Sequence, residues 1–219
     1  MAKHLERELE RLKKLIYSLS ACVSENLDMA VNAVQSRNED MAVNVIEGDR
    51  TIDEMEIEVE EECLKILALY QPVAIDLRFI IAILKVDNEL ERIGDLAADI
   101  AKNGIYLKTL RISEVTIDIH KMMCLAKAIV HKSLDALLDF DADKAREVIR
   151  DDQVIDSMKA EMKAVIIDAL EKEPFTAREL ITLLAVISRL ERIGDHATNI
   201  AEDVIYLTES EIVRHQVVS

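Results

Sequence analysis

Apolar side chains recur along this chain at alternating three- and four-residue steps. Leu5, Leu9, Leu12, Ile16, Leu19, Val23, Leu27, Ala30 and Val34 form one such series, the apolar stripe of a single long helix. The stripe stops near Ser36-Arg37-Asn38. A second series opens at Glu39-Asp40 and runs to about Tyr70, where Gln71-Pro72 breaks it, because proline cannot donate the helical hydrogen bond and restricts the residue before it. A third helix is predicted from about Ala74 to Leu107. After Arg111-Ile112-Ser113 the order repeats: a fourth helix over about Glu114–Leu138, a break at Asp139-Phe140-Asp141, a fifth helix to about Glu171, a turn at Glu173-Pro174 and a sixth helix from about Thr176 to Thr208.

Helices of about 25–35 residues reach about 40–50 Å at 1.5 Å rise per residue. Connections this short make consecutive helices antiparallel neighbours. The predicted fold is all-α, two similar three-helix bundles in tandem, residues 1–110 and 111–219. A repeated phrase supports the division. Leu90-Glu91-Arg92-Ile93-Gly94-Asp95 returns unchanged as Leu190-Glu191-Arg192-Ile193-Gly194-Asp195, and Ile105-Tyr106-Leu107 returns as Ile205-Tyr206-Leu207. A period this long marks a duplicated domain rather than a solenoid repeat. The pattern leaves the arrangement of the two bundles open.

Composition narrows the function. Four glycines, two prolines and no tryptophan in 219 residues leave few turns. The net charge of −16 argues against a nucleic-acid partner, since a phosphate backbone attracts clustered Lys and Arg. The opening Met1-Ala2-Lys3-His4-Leu5-Glu6 enters a charged amphipathic pattern directly, which reads as a chain without a secretory leader. No apolar run approaches the roughly 20 residues of a membrane span. Cys22, Cys63 and Cys124, odd in number and far apart, read as reduced, buried thiols of a cytoplasmic protein.

The repeated phrase carries the candidate chemistry. Positions i, i+4 and i+8 share a helix face, so Glu91, Asp95 and Asp99 form an acidic row, matched by Glu191, Asp195 and Asn199. The second and fifth helices carry the shorter rows Asp49 with Asp53 and Asp152 with Asp156. Asp49 and Asp95 are equidistant from Pro72 along the chain, and so are Asp53 and Glu91. Asp152 with Asp195, and Asp156 with Glu191, stand within one residue of the same relation to Pro174. Each hairpin therefore sets four carboxylates level on adjacent helices. Like charges at this spacing repel. A multivalent cation relieves the repulsion, and an all-oxygen donor set suits magnesium, calcium, manganese or iron. Gly94, Ala97 and Ala101, with Gly194, Ala197 and Ala201, form a small-residue strip that admits a close neighbour. The bland alternative is a pair of solvated acidic faces, with Arg92 and Arg192 as surface ion-pair partners and His196 a bystander.

These residues resemble the PhoU family, accessory and regulatory proteins of bacterial phosphate transport. The likeness is carried by Val45-Ile46-Glu47-Gly48-Asp49, by Gln71-Pro72-Val73-Ala74-Ile75-Asp76-Leu77-Arg78 and by both Leu-Glu-Arg-Ile-Gly-Asp phrases, and it extends from Leu5 to about Leu207. It implies two similar three-helix bundles and a cytoplasmic, non-enzymatic negative regulator. Its implied partners are the ATPase of the phosphate ABC transporter and a sensor histidine kinase. It also implies bound metal, iron or zinc among the candidates, on Asp49-x-x-x-Asp53, Glu91-x-x-x-Asp95, Asp152-x-x-x-Asp156 and Glu191-x-x-x-Asp195. The change from Asp99 to Asn199 removes one charge from the second row, so the two sites are expected to differ in affinity.

Two rivals are set against this reading. One is a metal-dependent enzyme on the same carboxylates, for which His196 is the only nearby acid or base. The other is a helical spacer whose acids are merely solvated. A chain half apolar on slender bundles would also bury more surface as a homodimer.

Overall fold

A computed structural model describes residues 2–111, 113, 115, 117–172 and 174–209. Its elements are α1 (Ala2–Ser36), α2 (Glu39–Tyr70), α3 (Ala74–Lys108), α4 (Ile119–Asp139), α5 (Ala142–Lys172), a 3-10 turn (Pro174–Thr176) and α6 (Ala177–Glu209). Among the described residues there is no strand. α1, α2 and α3 pack on one another, as do α4, α5 and α6, and α3 lies against α6 where the two halves meet.

The apolar stripes become the core. Leu12, Ile16, Leu19 and Leu27 of α1 meet Ile52 and Ile66 of α2 and Ile80, Ile83, Leu90 and Ile93 of α3, all essentially inaccessible to solvent. The helix ends follow capping chemistry. Asn38 accepts a hydrogen bond from the Met41 N–H at the start of α2. Gln71 closes α2 in the left-handed region, φ 46°, its N–H donating to the Leu67 carbonyl. α4 begins at Ile119, five residues later than expected, where Asp118 accepts from the Lys121 N–H. Glu114, the predicted start, lies outside the described residues, as does Glu173 of the predicted turn. The thiol expectation needs correction. All three cysteines are free, but only Cys63 is buried; Cys22 is half-buried and Cys124 exposed. Cys124 lies one residue past the inward-facing Met122 and Met123 of α4, on the outer side of that helix.

α3 and α6 run antiparallel, tied by Lys85 to Asp203 at 2.6 Å, Asn199 to Glu89 at 3.2 Å and Arg189 to Asp99 at 3.4 Å. The last two pairs occupy equivalent places in the two copies of the repeat. A second equivalent pair closes the ends. Arg37 and Phe140 both adopt the left-handed region, φ 51° and 55°, at the matching turns after α1 and α4. Arg37 reaches Glu179 at the start of α6, whereas Phe140 stacks on Phe79 near the start of α3, ring centroids 5.3 Å apart. One junction is ionic and its counterpart is aromatic.

Candidate functional site

The local cause of the site is a glycine shelf. A Cβ on Gly94 would stand 3.1 Å from the Ile52 methyls and 3.5 Å from Asp49 Oδ1. A Cβ on Gly194 would fall on Asp152 Oδ1. The two glycines thus let α2 and α5 come close enough to seat Asp49 and Asp152 against the opposite helix. In the helix interior each costs about 1 kcal/mol relative to alanine, and the close approach accounts for both.

The hairpins bring the predicted acids into one another's field. In the first half, burial raises the Asp49 carboxyl above the usual carboxylate range, and the charges of Asp95, Asp53 and Asp99 raise it further, against Lys102. Glu91 is raised by burial and then by Asp95, Glu56 and Asp53, with Arg92 opposing. In the second half Asp152 is pushed up to about 7, by burial first and then by Asp156, Asp195 and Glu191. Asp195 is raised by burial, Glu191 and Asp156, with His196 and Lys159 opposing.

Two predicted members serve elsewhere. Asp99 pairs with Lys102 at 3.1 Å and with Arg189 of the other half at 3.4 Å. Asn199 turns its amide N–H to Glu89 across the α3–α6 interface, so the position differs between copies because each answers a different partner. His196 is buried, with Nδ1 2.6 Å from Glu89 Oε2; it orients within the interface. Arg92 donates to Asn88 Oδ1, and neither Arg92 nor Arg192 is within ion-pair distance of a carboxylate among the described residues. The direct ion pairs offered as the bland alternative are therefore not made by these arginines, although Arg92 acts on Glu91 at longer range. Glu191 instead pairs with Lys159 at 2.8 Å, a contact that the sequence pattern does not announce.

Metal suits the donors. Asp49 Oδ1 and Asp152 Oδ1, at equivalent places, are buried without a hydrogen-bond partner, and most of the charges acting on them are carboxylates, Lys102 beside Asp49 being the exception. Buried polar atoms are normally satisfied, and an oxygen-seeking cation would satisfy both. Among the described residues no three His, Cys, Asp or Glu side chains stand close enough together to hold a metal ion. Glu91, Asp95 and Asp99 instead line an open cleft of about 460 Å³ that also takes in Arg92, Arg192 and His196.

The PhoU domain family model matches residues 16–104 and again 119–204, the two stretches that carry the repeated phrase. The chain belongs to the PhoU family. It is 35% identical over 205 residues to the phosphate-specific transport system accessory protein PhoU homolog 1 of Thermotoga maritima, covering 93% of this chain and 88% of that one. It is 29% identical over 208 residues to the PhoU accessory protein of Escherichia coli, covering 95% and 86%. Among solved structures, PhoU from Pseudomonas aeruginosa matches with a TM-score of 0.87 at 34% identity, over 94% of this chain and 99% of that chain. The phosphate transport system regulatory protein PhoU from Streptococcus pneumoniae matches with the same score at 31% identity, over 95% and 99%. The six-helix all-α fold is thus the PhoU fold. These relatives are named for an accessory or regulatory role, not for a reaction.

Proposed function

We propose that this PhoU protein is a cytoplasmic accessory and negative regulator of phosphate uptake, coupling the phosphate ABC transporter to a sensor histidine kinase. Divalent or iron cations bind its two acidic hairpin faces. The observation that carries the reading is family membership over both halves, joined to a buried, donor-free carboxylate oxygen at the same place in each. Asp49, Asp53, Glu91 and Asp95 would hold the cation in the first half, and Asp152, Asp156, Glu191 and Asp195 in the second. A bound cation cancels carboxylate repulsion and so stiffens each hairpin, giving partners a fixed surface. No described helix is long and apolar enough to cross a membrane, so the protein would meet the membrane through its partners. The net charge disfavours nucleic acid.

The test is genetic and biochemical together. Deleting the gene should leave phosphate-starvation genes expressed in phosphate-rich medium, and the purified protein should capture the transporter ATPase or the kinase. A normal starvation response in the deletion strain would overturn the regulatory role. Elemental analysis of protein purified without added metal tests the cation separately, and a metal-free preparation that rejects manganese and iron would remove it.

A further inference from the structure

The negative charge of the chain is not shared evenly between its halves. α2 carries eleven acidic residues against two basic ones, whereas α5, the equivalent helix, carries eight against six. On the outer side of α2, Ile57 (51% exposed), Leu64 (53% exposed) and the exposed Ala68 recur at seven- and four-residue steps, so they share one helical stripe. Glu60 flanks the stripe on one side and Glu54 and Glu61 on the other, all three exposed. Neighbouring acids of α2 are answered from within the chain. Glu62 pairs with Lys65 at 2.8 Å and with Arg11 at 3.5 Å, and Glu58 pairs with Arg11 at 3.9 Å. Among the described residues, Glu54, Glu60 and Glu61 make no ion pair. The register that equates Asp49 with Asp152 and Asp53 with Asp156 places Ala160 at Ile57, and Ser157, Lys163 and Ala164 at Glu54, Glu60 and Glu61. The second half thus keeps the large apolar side chain only at Ile167, the counterpart of Leu64, and none of the three acids.

We propose that this face of α2 docks a cationic amphipathic helix of a partner protein. Apolar side chains of that helix would cover Ile57, Leu64 and Ala68, while lysines or arginines on its two edges meet Glu54, Glu60 and Glu61. The inference rests on the accessory role proposed above only in taking the partner to be a protein. Covering exposed isoleucine and leucine side chains is favourable, and a helix laid on an apolar face is read through anchors at such steps. Charge selects the occupant. A second copy of this chain would set the same acids against themselves, and like charges opposed across an interface are rejected. Nucleic acid and an anionic lipid surface meet the same repulsion. A basic helix gains on both edges, so its charges steer the encounter and fix its orientation, and the stripe holds the complex.

The whole protein is titrated against a fluorescently labelled leucine–lysine amphipathic helix of about 18 residues and against a twin with glutamate in place of every lysine, with anisotropy as the readout. Wild type should bind the lysine peptide and reject the glutamate twin. Ile57→Ser with Leu64→Ser removes the anchors and keeps every charge; Glu54→Gln with Glu60→Gln and Glu61→Gln removes the charges and keeps the anchors. Each variant should weaken binding by about tenfold or more, and the charge variant should also flatten its salt dependence. All five positions are exposed, so the variants retain the fold, and Ala160→Ser with Ile167→Ser on α5 should bind as wild type does. Wild type that does not bind the lysine peptide overturns the proposal. Loss in the charge variant alone reduces the effect to general attraction by an acidic protein and overturns it too, as does equal loss in the α5 variant. Wild-type self-association abolished by Ile57→Ser with Leu64→Ser, read by sedimentation, would give the face to a second copy instead. The peptide assay uses neither transporter nor kinase, so its failure leaves the regulatory role standing, and a normal starvation response in the deletion strain leaves the peptide result standing.

Discussion

A carboxyl group buried without a donor lowers its free energy by taking a proton, a cation or a new neighbour. Asp87, pushed up to about 8 by burial and by Glu56, Glu60 and Glu91, and Asp152, pushed up to about 7 by burial and by Asp156, Asp195 and Glu191, take the proton in metal-free protein at mildly acidic pH. The sign of the linkage follows. Both folded-state values lie above the unfolded value of about 3.9, so between about pH 4 and 8 the folded protein holds more protons than the unfolded chain. Stability therefore falls as pH rises through that window. In chelator, thermal unfolding should occur several degrees lower at pH 8 than at pH 5, and the double variant Asp87→Asn with Asp152→Asn should flatten that slope. Mn²⁺ should restore most stability at pH 8, where it no longer competes with protons. A slope unchanged by the double substitution would place its origin elsewhere. The Asp87 signal was present in the sequence, as the next step back in the i, i+4 row of Glu91, Asp95 and Asp99. It was missed because the duplicated phrase stops short of it.

Elements carry their own test at the glycine shelf. Alanine in place of glycine in a helix interior gains about 1 kcal/mol from propensity alone. Gly94→Ala meets two Ile52 methyls at 3.1 Å, soft contacts that yield by a few tenths of an ångström, so its net effect should lie within about 1 kcal/mol of zero. Gly194→Ala places its methyl on the buried Asp152 carboxyl, which must shift to admit it. Urea unfolding should show Gly194→Ala destabilised by about 1–3 kcal/mol relative to Gly94→Ala, with weaker Mn²⁺ binding in the second half; equal stability of the two variants would contradict the shelf. Helices were the readable part of this chain. Apolar periodicity and the prolines locate their ends to within a residue or two, except at the start of α4. There Asp118 caps the helix, its side chain accepting from the Lys121 N–H. Hairpin register was readable too, since Asp49 lies against Gly94 and Asp152 against Gly194, each beside the acid the sequence sets level with it. The Lys159–Glu191 pair was not, because a lysine on a charged face looks the same whether or not it folds back.

At the scale of the molecule, the halves are held by contacts that no local pattern announces. Glu179, 3% exposed, accepts from Arg37 of the first half and from the Ser113 N–H of the linking segment. Removing it leaves the partly buried guanidinium its hydrogen bond to the Leu107 carbonyl but no counter-ion. Glu179→Ala should cost about 3 kcal/mol, read by chemical unfolding, whereas Phe140→Ala at the equivalent junction, with its ring partly exposed and 5.3 Å from Phe79, should cost about 1–2 kcal/mol. If Glu179→Ala were the milder of the two, the ionic junction would not be what holds that end. Such contacts depend on how the bundles face each other, which periodicity within one bundle does not determine.

The paired junctions have a consequence for which assemblies this module can form. A first half set against a second first half would place Arg37 on Phe79 and Glu89 opposite Asp99. Two second halves would set Phe140 on Glu179 and leave Arg189 facing an uncharged Asn199. Only one of each joins ion to counter-ion and ring to ring. The two copies, alike in helices and in the phrase that repeats, have become as distinct as lock and key at their shared seam. The duplicated unit has thereby lost the matched contacts it would need to associate with itself through this face.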